Sequence, residues 1–535
     1  MENRIHRIEK ICIIGIIALA GIIAAGTAKL WRTPADVPQE EASEKLTEWA
    51  DFLPDSIFYG QKLPVTRFRT AGGTVRSLAD RAGKKRILMF WGSWCPYCDE
   101  ALAHCAEFEA VLREHPDWEF ILIDKLDADR GETVEKAQQY LTDNAIPFEC
   151  LYDENLTAYS AYGLKRIPTL LALDERGYLR YMTVTALRSG AELEDILDYV
   201  DSGGGAATRR FLRANMTGAD GGAYTTFLDN GGGSPTGRDV LSESQGILME
   251  CAVLTRDAEL FESSWNFARE RLYRDGVFAW YVTADGRQAD ANALIDDLRI
   301  YRALKAADAL WGGYDAELTA LAEAIREHNV HRGHLAGFYD FQQRRAGTEL
   351  PLFYIDAEAL RDLAEADADF AGAAQEAIDI LRGGYIGDDF PLYYPAYDHA
   401  AGRYSADSMN TSEALITLWH AVRSGVARPQ SIQWLERQAA SGTLAARYRT
   451  DGQAVRGFDY DSTAVYAIAA LIGAEAGNAR LYTCARNRME KYRVADRTPL
   501  HGSFSDRTDG SDIIAFDQLM PLLVYAVGRD ITFAD

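Results

Sequence analysis

The segment Trp94-Cys95-Pro96-Tyr97-Cys98 constrains this chain more than any other. It follows an apolar strand-like run, Ile87-Leu88-Met89-Phe90-Trp91, and opens a helical pattern from Asp99 to about His115. Two cysteines separated by two residues at a strand-to-helix turn are the signature of a redox-active dithiol. A thiol at a helix start feels the positive end of the macrodipole, which favours its thiolate. Cys95 is therefore the expected attacking thiolate, and Cys98, one turn on, the resolving thiol. Pro96 removes a backbone donor where a helix start has donors to spare. A zinc half-site is the rival, but a structural zinc needs a second ligand pair. No other CxxC and no HxxxH occurs, and His104 and Cys105 lie on the same helical segment. No metal site and no cofactor is predicted.

Far downstream, Ile167-Pro168-Thr169 runs into the apolar stretch Leu170-Leu171-Ala172-Leu173. A hairpin pattern follows through Asp174, Arg176-Gly177 and Tyr178–Val184. With Phe90–Cys98, these segments make residues 62 to 200 resemble a thioredoxin fold, closest to the membrane-anchored TlpA/ResA kind. The resemblance implies that Pro168 is a cis-proline facing the dithiol and that the Ile167 backbone pairs with a bound client peptide. One departure stands out. Many thioredoxins carry an acid six residues before the first cysteine, and Met89 occupies that place here. Another group, or water, must then serve Cys98.

A length of 535 residues exceeds one typical domain. Residues Ile11 to Ala28 carry no charge and lie between Lys10 and Lys29. As a helix they would extend about 27 Å, close to the ~30 Å hydrocarbon core. Arg4, Arg7 and Lys10 precede the run, and Asp36, Glu40, Glu41, Glu44 and Glu48 follow it. This asymmetry predicts a transmembrane anchor with everything after it outside the cytoplasm. Cleavage at Gly26-Thr27-Ala28, which would release the chain, is the alternative. A net charge of −24 argues against nucleic acid as a partner. Of the seven cysteines, Cys105 and Cys150 read as free thiols rather than a second bridge. Cys251 and Cys484 read as core.

Asp201-Ser202-Gly203-Gly204-Gly205-Ala206 has the composition of a flexible linker. Beyond it, helical patterns cover 240–256, 257–273, 292–310, 315–329, 355–366, 370–382, 410–424, 430–440, 461–476, 478–491 and 514–527. Aromatic-rich loops such as Asp275–Trp280 and Leu335–Asp340 join them. Helix pairs with such loops point to an α/α barrel or toroid. The expected architecture is multidomain: a membrane anchor at 1–31, a spacer at 32–60, an α/β thioredoxin-like domain at 61–202 and an all-α barrel at 203–535.

Three acidic segments in the second half carry candidate chemistry. Leu241-Ser242-Glu243-Ser244-Gln245-Gly246 opens an apolar helix; read blandly, Ser242 caps it and Glu243 answers the dipole. Ile295-Asp296-Asp297-Leu298-Arg299 places two acids in an apolar helical run, where burial requires a partner such as Arg299. Phe458-Asp459-Tyr460-Asp461-Ser462-Thr463 sets acids among aromatics at another helix start. Together the three segments resemble glycoside hydrolase family eight, an (α/α)6-barrel family of inverting endo-hydrolases. Its Ser-Glu-Gly-Gln-Gly-Tyr motif aligns with Ser242–Ile247, with Ser244 and Ile247 in place of Gly and Tyr. The resemblance implies that Glu243 is the general acid and Asp461 the general base. It gives Asp297 the distorted sugar, with Asp296 as the alternative register, and sets Trp280 near the cleft.

An inverting glycosidase needs one protonated and one ionised carboxyl on either side of the scissile bond, with room for water. Together, the features describe an extracytoplasmic fusion. A thiol–disulfide domain acts on client protein thiols and disulfides, and a barrel hydrolyses a β-linked polysaccharide. The retained Glu243 and Asp461 favour hydrolysis. The altered flanks favour the alternative, a barrel that only binds glycan or protein.

Overall fold

The computed structural model describes residues 52–81, 83–229 and 235–534. The run Ile11–Ala28, expected to be a membrane anchor, falls outside them. Among the described residues no helix is long and apolar enough to cross a membrane. The chain forms two compact units: 52–206 joined by the C-terminal 528–534, and 207–527.

The first unit is built on a seven-stranded sheet ordered β2-β1-β5-β4-β3-β6-β7. The strands are β1 Arg67–Arg69, β2 Val75–Ser77, β3 Lys85–Trp91, β4 Trp118–Asp124, β5 Glu149–Tyr152, β6 Thr169–Leu173 and β7 Leu179–Thr183. β3, β4 and β5 are parallel, and β6 runs antiparallel to β3. Residues 87 to 91 of β3 are wholly buried, which is why they read as an unbroken apolar run rather than an alternating one. The 99–115 helical pattern is in fact two helices, α1 Pro96–Leu102 and α2 Cys105–Glu114. The chain leaves helical geometry at His104 (φ −98°, ψ 10°), with no Pro or Gly there to announce it. α3, Val134–Asp143, crosses from β4 to β5, and the short α4, Thr157–Ala161, precedes β6. The β6–β7 hairpin turns at Gly177, whose φ of +86° suits glycine.

α5, Gly190–Asp201, ends this unit's helical layer. The glycine-rich stretch after it is not an extended linker: it is a tight turn leading straight into α6, Ala206–Asn215. The C-terminus returns to this unit. Phe533 N donates to Gly60 O (3.0 Å), and Arg180 Nη1 to Ile531 O (2.7 Å).

The second unit is helical and barrel-like. One set of helices has its N-termini directed at a common cleft: α7 Ser242–Thr255, α9 Leu294–Trp311, α11 Ala357–Ala366, α13 Thr411–Arg423, α15 Thr463–Glu475 and α17 Ala515–Gly528. Between them in sequence come α8 Ala258–Phe267, α10 Asp315–Asn329, α12 Ala371–Gly383, α14 Pro429–Ser441 and α16 Ala479–Glu490. Within this set α15 is buried all round, with each residue from Thr463 to Gly473 enclosed. All-round burial explains why α15 lacks the one-sided pattern of a surface helix, which α11 keeps, with Glu358, Arg361 and Glu365 exposed. Gly473 lets α15 and α16 meet, since a Cβ there would stand 2.5 Å from Tyr482 N. Of the sequence-derived helices, each appears within a few residues. The second, expected to run to 273, instead leaves α-geometry for a π-helical turn at Ala268–Leu272.

Candidate functional sites

Cys95 stands at the N-cap of α1, directly before Pro96. Its Sγ accepts from Cys98 N at 3.3 Å and lies 3.7 Å from Ile167 O. The Ile167–Pro168 peptide is cis. The sequence thus brings Cys95, Cys98, Ile167 and Pro168 to one place. The neighbouring Cys98 thiol, then the backbone N–H groups of Cys98 and Tyr97, bring the Cys95 thiol down to about 7. Burial and the adjacent Cys95 drive Cys98 strongly upward, so it stays a thiol while Cys95 ionises. Cys95 is 4% exposed, and the nearby Tyr97 is 65% exposed. All six cysteines among the described residues are free.

A candidate for the acid missing at Met89 is Asp124, at the end of β4, register partner of Trp91. It is fully buried, and neither carboxyl oxygen has a hydrogen-bond partner. Burial, then the Glu132 carboxyl, raises Asp124 to about 9, and its charge opposes ionisation of Cys98. Glu132 itself is fixed under the motif, accepting from Ser93 N (3.0 Å) and Ser93 Oγ (2.7 Å). A buried carboxyl that titrates near 9 beside a buried thiol can exchange a proton with it. Sequence reading missed Asp124 because the acid comes from the neighbouring strand; its one signal is a charged residue closing the apolar run Phe120–Ile123.

In the second unit, Glu243, Asp296, Asp461 and Trp280 all line the cleft. Ser242 does not cap α7. It is the first helical residue, and its hydroxyl donates to Asp296 Oδ2 at 2.6 Å. Gln245 accepts from Ala223 N (3.0 Å) and donates to Gly221 O (3.1 Å), tying a loop to the helix. Gly246 makes room for Arg299, whose Cδ would lie 3.0 Å from a Cβ there. Glu243 is the motif residue that faces the cleft. Burial and the neighbouring Asp296 raise its carboxyl to about 7.

Asp297 is a correction. It is wholly buried and accepts from Phe278 N (3.0 Å) and Asn292 Nδ2 (2.6 Å), so it holds the preceding loop rather than a sugar. The helix turns adjacent residues about 100° apart, and the cleft position belongs to Asp296. Asp461 is ion-paired with Lys491 Nζ at 2.9 Å and accepts from Tyr492 OH. Ser462, not Asp461, caps α15.

Glu413 was not anticipated. It opens α13, lines the same cleft, and burial raises it to about 7. Its setting repeats that of Glu243. Each lies at a Ser-Glu pair opening an apolar helix just after a two-residue strand, Val240–Leu241 in one case and Met409–Asn410 in the other. That echo in the sequence is the signal that could have found it. Asp506, Asp512 and Asp517 complete a lining with seven carboxyls and, among the described residues, no Lys, Arg or His, beside aromatics that include Tyr354, Tyr460 and Phe504.

The Redoxin family model matches residues 59–199. The first unit is a redoxin domain. The redoxin domain's dithiol, Cys95 and Cys98, lies within the match. Thiol-disulfide oxidoreductase ResA of Geobacillus thermodenitrificans (strain NG80-2) is 22% identical over 158 residues, covering 29% of this chain and 85% of that protein. YdaJ of Bacillus subtilis (strain 168) is 27% identical over 290 residues, 53% of this chain and 78% of its own length. A solved structure described as a novel alpha-amylase from Clostridium perfringens aligns at TM-score 0.56 and 24% identity, over 60% of this chain and 96% of that one. This likeness shows a shared fold. Endoglucanase Cel10 of Klebsiella pneumoniae, a family 8 glycosyl hydrolase, aligns at TM-score 0.43 and 16% identity over 60% of this chain and 99% of its own.

Proposed function

We propose that this chain is a membrane-tethered, extracytoplasmic protein with two activities. The redoxin domain exchanges disulfides with client proteins through Cys95, and the barrel cleaves a β-linked polysaccharide internally, with inversion. The membrane tether rests on the charge-free run Ile11–Ala28 and its basic N-terminal flank. Protease added to intact spheroplasts should digest both units; full protection would refute this topology.

One observation carries the hydrolytic reading. Glu243, raised to about 7, and Asp461, ion-paired with Lys491, face one aromatic-lined cleft. A carboxyl still protonated near neutral pH can protonate a leaving oxygen, and a carboxylate can take a proton from water. Aromatic side chains give sugar rings apolar faces to stack on. Lining carboxyls without a basic side chain favour a neutral or cationic glycan over a polyuronate. Ser244 and Ile247, where the motif departs from the family, are buried at 1% and 0% exposure, so their change leaves the cleft surface untouched. That weakens the binding-only reading.

The test is release of reducing ends from a panel of β-1,4 glycans and bacterial exopolysaccharides, with starch included because of the alpha-amylase neighbour. Activity on a β-linked glycan that Glu243→Gln abolishes supports the reading. Activity confined to starch would refute the linkage, and binding without cleavage anywhere in the panel would refute hydrolysis.

A further inference from the structure

Outside both sites, three side chains from distant parts of the barrel unit converge. His334 lies on a two-strand hairpin, Val330–His331 with His334–Leu335; Glu376 is on α12; His399 follows the strand Ala396–Asp398. One ligand atom from each lies within 4.8 Å of the others. His334 Nδ1 is 2.8 Å from both oxygens of Glu376, and the two imidazoles stack with centroids 4.8 Å apart. None of the three lines the cleft.

The hydrogen bonding around His399 fixes which of its nitrogens is available. Its Nε2 lies 2.9 Å from Leu335 O. A carbonyl oxygen can only accept, so Nε2 carries the hydrogen and the neutral ring keeps its Nδ1 lone pair. An imidazole whose other nitrogen donates to a backbone carbonyl is the usual arrangement of a metal-bound histidine. Leu335 follows His334 directly, so one strand supplies a ligand and the carbonyl that orients the other imidazole. The ring of Tyr397 meets His399 edge-on at 5.4 Å and limits its rotation.

We propose that His334, Glu376 and His399 bind one divalent transition ion of the zinc class. Two imidazoles and a carboxylate suit zinc and its first-row neighbours; calcium and magnesium prefer all-oxygen sets. Around a tetrahedral ion with ligands at about 2.1 Å, ligand atoms stand roughly 3.4 Å apart. The triad reaches that spacing by a small opening of the 2.8 Å His334–Glu376 contact and a closing of the longest ligand-atom separation, which is within 4.8 Å, with the His334 hydrogen moving to Nε2. His334 is the exposed member, so the remaining position is open to water. The bound ion joins the 330–335 hairpin to α12 and to the 396–399 segment. The site was invisible in the sequence because its ligands are 42 and 23 residues apart, with no short ligand spacing.

The Cys95–Cys98 dithiol would compete for zinc, so the test uses the full chain carrying Cys95→Ser and Cys98→Ser, stripped with chelator. Zinc titrated by calorimetry should bind at one equivalent and raise the melting temperature. His334→Ala and His399→Ala should each weaken binding more than ten-fold and abolish that rise. Glu376→Gln, which keeps the side-chain volume, should weaken it about ten-fold. Apo melting temperatures equal to the parent's confirm that the variants fold. Cobalt(II) in place of zinc should give the visible bands of a nitrogen–oxygen site. Failure of the parent to bind, unchanged affinity in the histidine variants, or a thiolate-to-cobalt charge-transfer band would overturn the assignment.

Discussion

Ser242 Oγ donates to Asp296 Oδ2 at 2.6 Å, so the residue just before Glu243 is tied to the start of the next cleft-facing helix. The bond keeps Asp296 beside Glu243, where its negative charge adds to burial in raising the Glu243 carboxyl to about 7. Removing that charge should lower the Glu243 value. Asp296→Asn should therefore move the alkaline limb of the hydrolysis pH profile to lower pH. A limb left where it was would separate Asp296 from the acid.

Asp297 should behave differently from its neighbour. It accepts two hydrogen bonds in a fully buried position, and an amide there would set donor against donor. Losing a buried partner costs about 1–3 kcal/mol. Asp297→Asn should lower the melting temperature by about 5 °C, with a smaller loss for Asp296→Asn, which keeps an oxygen for the Ser242 hydroxyl but gives up its charge beside Arg299. Thermal unfolding of the two variants side by side decides between them.

Cys98→Ser should trap mixed disulfides with client proteins, and Cys95→Ser should not. Alkylation of reduced wild-type protein should accelerate as pH rises through about 7, where the Cys95 thiolate forms. Equal trapping by both variants would remove the role assignment.

Asp124→Asn removes the buried carboxyl that can take the Cys98 proton when the mixed disulfide resolves. Resolution should slow by ~10²-fold, the lower range for positioned acid–base groups. The first attack by Cys95 should be little changed. Stopped-flow separation of the two steps checks this, and equal slowing of both would point to a structural role.

How much was legible in the sequence depends on where each constraint is written. The dithiol sits in a short contiguous motif, and the approach of Pro168 to it followed from the thioredoxin resemblance that the motifs carry. The barrel helices were legible from apolar length, while Glu243 and Asp461, whose helix starts alone read as caps, were singled out by the family-eight resemblance. Asp297 was set ahead of Asp296 because two adjacent acids at the apolar start of a helix give no phase: the face that meets the cleft is decided by Ser242 and Asn292, which are distant or outside the helix. Asp124 and the His334–Glu376–His399 cluster are products of strand register and helix packing, whereas Glu413 left a local trace in the Ser412-Glu413 pair that repeats Ser242-Glu243. The break between α1 and α2 has no residue-level signal at all.

The central claim is a single displacement across the cleft, with Glu243 as acid and Asp461 as base. Water delivered by Asp461 attacks from the face opposite the leaving group, so a β-linked chain must first release an α reducing end. Proton NMR of the earliest hydrolysis product reads this directly. The α anomer, with its formation lost in both Glu243→Gln and Asp461→Asn while glycan binding persists, is the predicted result. A β anomer, or undiminished cleavage by either variant, would contradict it.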